Sequence, residues 1–509
     1  MEGSNLFCPG DQESFNIRVG GYDLISQFVN EKRAKRGKTI FTHSGDLMVG
    51  TRYFREFLGR SDIEFMNKAE LDVMVLGNHE FDKGAHFLEN LLESAKFPVL
   101  AANIEINDMP KLREMVKPYI ITGSWPWRNG IIGVITNDTQ RVSSPGENIK
   151  FLDINETVEK YIAELRKKGV NRIFILSHLG FNEEVKLAKE VAGIDVIIGG
   201  HSHTILGNTN LGCLPSLGDY PYLVKGPYGR DVLVVQAWDH SRAIGQLDLK
   251  FDFRGNVKSW RGMINFLVRE GTDIPTGNKM SETARFKVVR PDKDLVEMVS
   301  SYREIVSKEY EKIVGKIGEN LIHRWEKGSD IAPLVAKAIY RKLKVEGFEI
   351  DVVLQNAGGV RRSLEAGDIS FGDINDTLPF FNDIIILKIK GRDLKKSVNK
   401  SLEYISKGEQ LGSFPYLYGM KYDIENFRAF NFRVLKDGEY KPVDTGAYYM
   451  LATDSYIAYG GNGYDIIGDI TERRNSGHIV SDLFADYIKE IKVISRLEYV
   501  HPAIIETDE

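Results

Sequence analysis

Short apolar, β-rich runs punctuate the first half of the chain. They are Thr39, Ile40, Phe41 and Thr42; Val73, Met74, Val75 and Leu76; Ile173, Phe174, Ile175 and Leu176; and Val196, Ile197 and Ile198. Each is apolar at consecutive rather than alternate positions, as a strand covered on both faces requires. Stretches with helical spacing over 156–168 and 182–191 lie between them. Strands alternating with helices predict an α/β domain. Near Val268 the pattern changes. Pro291 and Asp292 open a charged segment over 293–311 with apolar residues at Leu295, Val299, Tyr302 and Val306, the spacing of a helix that packs on one side. This segment is expected to connect two domains, its other reading being an ordinary helix of the second. Beyond it lie Val352, Val353 and Leu354, then Ile384, Ile385, Ile386 and Leu387, and loops rich in Gly and Tyr. The expected division is 1–290, a connector over 291–312, and 313–509.

A length of 509 residues fits two or three domains, and 42% hydrophobic with 27% charged residues is a globular composition. A net charge of -5 weighs against a nucleic-acid polymer as partner, which calls for a basic face. A small anionic substrate stays open, because it needs only a few local cations. Cys8 and Cys213 lack the spacing of a zinc or redox site and read as two idle thiols, with one long-range disulfide as the other option. No run is long and apolar enough to span a membrane. The first residues have neither the basic start nor the apolar core of a signal peptide, so the chain as written reads as cytoplasmic.

The residues immediately after each apolar run narrow the chemistry. After the first come Gly45 and Asp46; after the second, Gly77, Asn78, His79, Glu80, Phe81 and Asp82; after the third, Ser177 and His178; after the fourth, Gly199, Gly200, His201, Ser202 and His203. In an open α/β sheet the ligand site lies at the carboxyl ends of the strands, so these four ends are expected to converge. The chain has ten histidines, and His79, His178, His201 and His203 fall in these short segments. Oxygen and imidazole donors without a thiolate suit Mn, Zn, Co, Fe(II) or Ni. A carboxylate such as Asp46 can bridge two ions, and two ions about 3.5–4 Å apart can clamp a phosphoryl group during in-line displacement.

The order and spacing of these segments resemble the calcineurin-like metallophosphoesterases. The second half resembles the 5'-nucleotidases among them: Asn356, Ala357, Gly358, Gly359, Val360 and Arg361 match an N-x-G-G-x-R substrate loop. Gly372 and Asp373 with Leu378, Pro379, Phe380, Phe381 and Asn382 match the stretch that comes after it. Gly460, Gly461, Asn462, Gly463 and Tyr464 are similar to a GGDG-aromatic loop. The resemblance implies an N-terminal four-layer α/β metallophosphoesterase sandwich, a connector helix and a C-terminal α/β substrate-binding domain. It implies two divalent metal ions and hydrolysis of nucleotide phosphate esters to nucleoside and phosphate. UDP-sugar or 2',3'-cyclic-nucleotide hydrolysis, or a catalytically impaired nucleotide- or metal-binding form, are the alternatives.

Carried over by position, the resemblance makes Asp46 the bridging carboxylate, with Asn78, His178 and His201 completing one metal site and His203 serving the other. It makes His79 and Asp82 the catalytic pair, although Asp82 also reads as a helix-start residue before Lys83. Arg361 would grip phosphate, Asn356 with Gly358 and Gly359 would bind the base or ribose, and Phe414 and Tyr464 would sandwich the base. As isolated aromatics, Phe414 and Tyr464 also read as packing residues. Asp469 would bind ribose. An upstream phosphate-binding arginine falls within 321–327, with Arg324 in that role or His323 in its place.

Two departures stand out. Asn462 replaces the Asp usual in its loop. No Asp-x-His precedes Gly20, although the family's first strand carries one, so the metal site served by His203 is expected to be incomplete. As substitutes, His43 reads as a packed strand residue two before Gly45, and Asp11 has no motif around it. The expectation is an upstream segment holding that strand, with export if it also holds a signal peptide. The other option is a short form with one metal. Oligomeric state is not legible.

Overall fold

The computed structural model describes residues 2–8, 15–35, 38–48, 52–209, 214, 216–274, 281–325, 327–380, 382–408 and 411–494. Asp11 and Cys213 lie outside them. The chain forms two compact units: Met1–Met48 with Phe57–Arg303, and Val49–Glu56 with Glu304–Glu509. The division falls inside the helix Lys293–Tyr310. Leu295, Val299 and Val306 are buried along that helix, as their spacing predicts. Tyr302 packs edge-on against Phe57 at 4.6 Å, which ties the helix up to that point to the first unit.

The first unit is built on two sheets. In the six-stranded sheet the four inner strands, Asp231–Val235, Val196–Ile198, Arg172–His178 and Asn129–Ile135, are mutually parallel. The edges Tyr222–Lys225 and Tyr119–Thr122 are antiparallel. The four-stranded sheet, Thr42–His43, Val73–Val75, Val99–Leu100 and Val116–Lys117, is parallel throughout. Val73, Val75 and Leu100 meet Ile131 and Leu176 between the sheets, which explains why these runs are apolar at successive positions. The helices Ile154–Lys167 and Phe181–Glu190 cover the opposite face of the larger sheet. They bury Val158, Leu165, Leu187 and Ala188 against Ile132, Ile173 and Ile197. Asp153 starts the first of these helices by accepting the Glu156 N–H at 2.9 Å.

Where the family's first strand is expected, Glu2–Cys8 and Phe15–Gly21 pair as an antiparallel hairpin. Ile17 and Val19 are buried with Ile205, Val235 and Phe266, and the Gly21 N–H reaches the Ser241 carbonyl at 3.2 Å.

The second unit holds a five-stranded sheet in the order Pro415–Tyr418, Val352–Asn356, Tyr448–Asp454, Asp383–Lys390, Arg473–Ile479. The helix Ile331–Val345 buries Leu334, Val335, Ala338 and Ile339 in the same core as the strand residues Val352, Val353 and Leu354. The early segment of this unit contributes Arg55. Its guanidinium donates to Asn375 Oδ1 at 2.9 Å, pairs with Asp482 and lies 4.4 Å over the Phe371 ring. Among the described residues no helix is long and apolar enough to cross a membrane.

The sheet-to-sheet contact makes one glycine indispensable. A Cβ on Gly133 would stand 2.3 Å from Leu100 Cβ, in strands with no loop to absorb the shift. Gly133→Ala is expected to destabilise the first unit by about 1–3 kcal/mol. Chemical denaturation followed by fluorescence measures this, and an unchanged midpoint would contradict the packing described.

Candidate metal centre

The parallel inner strands all end on one edge, and the predicted residues meet there. Asp46, His178 and His201 each bring one donor atom into a group whose members lie within 4.8 Å of one another. His178 Nε2 is 3.0 Å from Asp46 Oδ2 and 3.2 Å from Asn78 Oδ1. The loops approach this closely because the crossing positions lack side chains. A Cβ on Gly77 would lie 2.2 Å from Asp46 Oδ1, and one on Gly45 would lie 2.7 Å from the Gly77 nitrogen. Asp46, His201 and His203 all have positive φ (52°, 71° and 53°), a backbone strain that clusters at functional sites.

The donor chemistry suits a divalent cation. His178 Nδ1 donates to the Ser44 carbonyl, which turns the Nε2 lone pair toward two oxygen acceptors. Three acceptors facing one another need a cation or a proton between them. Burial opposes charge on His178, yet the Asp46 carboxylate raises its pKa above the ordinary imidazole value. Burial also opposes the Asp46 charge, but the His178 and His79 imidazoles hold its carboxyl well below the usual range. Burial lowers His201 to about 4, with His178 adding to the effect, so this imidazole is neutral at pH 7 and able to ligate.

His79 stands beside this group. Its Nδ1 is 2.7 Å from Asp82 Oδ2, its backbone N–H donates to Asp46 Oδ1 at 3.0 Å, and Asp82 Oδ1 accepts from the Ser143 hydroxyl at 2.8 Å. Burial opposes charge on His79, but the Asp46 and Asp82 carboxylates push it up to about 10. Asp82 starts no helix: it closes the short 3-10 turn His79–Phe81, and the next helix, Ala85–Leu92, starts after Gly84. The helix-start reading of Asp82 therefore does not hold, and both its oxygens serve His79 and Ser143.

Two buried carboxylates that the sequence reading passed over hold the loops. Glu80 accepts backbone N–H groups from Gly77 at 2.6 Å, Leu47 at 2.8 Å and Asp46 at 2.9 Å, so one side chain ties both loops together. Glu184 accepts from Ser177 Oγ at 3.0 Å, the Gly200 N–H at 3.2 Å and Gln236 Nε2 at 3.3 Å. Burial pushes Glu80 and Glu184 each up to about 7. Their signal was position, inside the second segment for Glu80 and on the helix that follows His178 for Glu184.

His203 belongs to a second group, with Asp239 and His240, again within 4.8 Å. The strand Asp231–Val235 is a fifth apolar run that ends in ligand-type residues. The strand-end rule applied to it would have found Asp239 and His240. His43 joins neither group; burial lowers it to about 4.

The second unit assembles its predicted residues unevenly. Asn356 is buried, and its Oδ1 accepts the Gly359 N–H at 3.1 Å, so it shapes its own loop. Gly359 is needed there, since its Cβ would meet Gln355 Nε2 at 2.3 Å, and Gly358 packs against Gly412 and Asn462. The Arg361 guanidinium is exposed, 4.7 Å over the Trp325 ring and 5.2 Å over Phe380. His323 packs edge-on to Trp325 at 5.5 Å, with a pKa lowered by burial and by Arg361. Arg324 is exposed near Gly328. His323, rather than Arg324, is thus the neighbour of Arg361. Phe414 and Tyr464 differ from the open base plates expected. They are 1% and 0% exposed because their rings complete the core, and the Tyr464 hydroxyl donates to the Ser413 carbonyl at 2.6 Å. Asp469 is exposed at the end of the helix Asp465–Gly468.

Comparison with known proteins agrees with the two-unit α/β architecture. Residues 12–204 match the calcineurin-like phosphoesterase family, and residues 313–469 match the 5'-nucleotidase C-terminal domain. The chain is 33% identical to a Treponema pallidum protein named "Probable 5'-nucleotidase", over 91% of this chain and 85% of that one. It is 30% identical to the "NAD 5'-nucleotidase" of Haemophilus influenzae, over 89% of this chain and 81% of that one. The solved structure of a 5'-nucleotidase precursor from Thermus thermophilus superposes with a TM-score of 0.78 at 31% identity, covering 97% of this chain and 94% of that one.

Glu80→Ala would leave three backbone N–H groups without their acceptor. We expect a loss of about 3 kcal/mol or more and weakened metal binding, with Glu80→Gln milder because it keeps one carbonyl oxygen. Differential scanning calorimetry with and without added Mn²⁺ reads both effects. Equal melting for Glu80→Ala and the unaltered chain would remove the role given to Glu80.

Proposed function

Because this chain belongs to the 5'-nucleotidase family, we propose that it hydrolyses nucleotide phosphate esters at the group formed by Asp46, Asn78, His178 and His201, releasing phosphate. The observation that carries this reading is the meeting of those donors at the strand ends, with the His79–Asp82 pair beside them. Asp46, Asn78, His178 and His201 would hold a divalent cation, the last two as neutral imidazoles. Bound there, such a cation polarises a phosphoryl oxygen and lowers the pKa of water.

The chain's own groups do the rest. His79 carries a proton at neutral pH and donates a hydrogen bond to the phosphoryl oxygens as their charge grows. Asp82 keeps that imidazole oriented and charged, and the Ser143 hydroxyl fixes Asp82. In the second unit Arg361 presents a planar cation, held flat by Trp325, that suits a phosphate. Asn356, Gly358 and Gly359 shape the loop that carries Arg361, and the buried Phe414 and Tyr464 support it from the core. Cleavage of larger nucleotides, such as sugar nucleotides or dinucleotides, is the second reading. The likeness to the Haemophilus protein favours it.

Asp46→Asn and His201→Ala are expected to lose bound metal and most phosphate release from AMP. Elemental analysis of the purified variants checks the first outcome, and full occupancy in both would withdraw the assignment. His79→Ala should keep its metal and lower kcat about 100- to 1000-fold with little change in KM. A raised KM at normal kcat would instead make His79 a binding residue. Comparing AMP, a UDP-sugar, NAD and a 2',3'-cyclic nucleotide on the Mn²⁺-loaded chain ranks the substrates. No turnover of any of them by a folded, metal-loaded chain would overturn the hydrolase reading.

A further inference from the structure

We propose that Asp239 and His240, drawn from a strand end outside the motifs that mark the first site, complete with His203 the second cation site that the family resemblance implies. This rests on the reading of Asp46, Asn78, His178 and His201 as a metal centre and extends it.

The topology places these residues together. Val196–Ile198 and Asp231–Val235 are parallel neighbours, with Ile198 opposite Val235, so the segments after them emerge side by side. Gln236 then locks the two segments. Its Oε1 accepts the Thr204 N–H at 2.5 Å and the Ser202 hydroxyl at 3.1 Å, and its Nε2 donates to the Gly200 carbonyl at 2.9 Å. The Trp238 N–H donates to the Thr204 carbonyl at 3.0 Å, and Ile205 pairs with Ala237. His203 is thereby held against Asp239 and His240.

The distances are those of shared coordination rather than hydrogen bonding. His203 Nδ1 is 3.6 Å and His240 Nε2 is 3.7 Å from the same oxygen, Asp239 Oδ2. Both are too long for hydrogen bonds. Ligands each about 2.1 Å from a tetrahedral ion stand about 3.4 Å apart, close to what is seen. Asp239 suits the role of carboxylate ligand. Its side chain is 12% exposed, and Arg242 Nη1 stands 3.4 Å from the other oxygen, Oδ1. Arg242 in turn lies 4.7 Å over the Trp238 ring. Arg242 therefore occupies the Oδ1 side and leaves Oδ2 turned to the imidazoles. Two imidazoles and one carboxylate suit Zn²⁺, Co²⁺ or Mn²⁺ and leave a fourth position open to water or a substrate oxygen.

The test uses the full chain, stripped with chelator and reloaded with Zn²⁺ or Co²⁺. Ions per chain are counted by native mass spectrometry, and Co²⁺ is followed by its visible absorption. The unaltered chain should bind two ions. His240→Ala and Asp239→Asn should each bind one and hold the second at least 10-fold more weakly. Asp46→Asn should lose the other ion and keep the one that depends on His240. Two ions bound as tightly in His240→Ala and Asp239→Asn as in the unaltered chain would overturn the site. So would a single ion that Asp46→Asn loses and His240→Ala keeps, although the first centre would then stand. A chain that binds no ion at all would overturn both readings. The His240 side chain is exposed, so His240→Ala decides the matter if Asp239→Asn fails to fold.

Discussion

Everything at the metal centre depends on buried carboxylates that face backbone N–H groups and short polar side chains instead of water. Glu184 has no exposed surface, yet it joins the end of the strand carrying His178, the loop carrying His201 and His203, and the glutamine that precedes Asp239. Glu80 does the same for the loops carrying Asp46 and Asn78. A buried acid is costly unless it is hydrogen-bonded, and each of these is bonded by three donors. Gly199 belongs to the same constraint, because a Cβ there would fall 2.0 Å from a Glu184 oxygen. The ligand loops are strained at Asp46, His201 and His203, and these carboxylates hold the strain in place.

Much of this was legible in the sequence because it arises from local pattern. Runs such as Val73–Val75 are apolar at every position because sheets or helices cover both faces, and ligand-type residues after parallel strands converge for topological reasons. That rule brings Asp46, Asn78, His178 and His201 together, and the structure places them side by side. The residues that were missed carry weaker signals. Glu80 and Glu184 look like surface residues of a helix start, and only the fold turns them inward. Asp239 and His240 come after an apolar strand as the others do, but they sit in no recognised motif.

The second unit shows where resemblance exceeds geometry. Phe414 and Tyr464 match aromatic positions by order along the chain, but burial is set by how neighbouring strands and helices close over them. Arg361 rests on Trp325, in the segment 321–327 where Arg324 and His323 were alternatives for one role. The asparagine of the same loop uses its side chain to hold the turn, so one residue can fit a motif and still serve the backbone before it serves a ligand.

The discontinuity of the second unit bears on how such a protein can be divided by evolution or by hand. Residues 49–56 interrupt the first unit yet supply Arg55 to Asn375, Asp482 and Phe371. A fragment beginning at Glu304 would carry the whole five-stranded sheet and lack that guanidinium. Its counterpart would be left with a stretch folded for another partner. The two halves are therefore not interchangeable cassettes. Gene shuffling that exchanges one for a relative's must also exchange eight residues near the start of the chain.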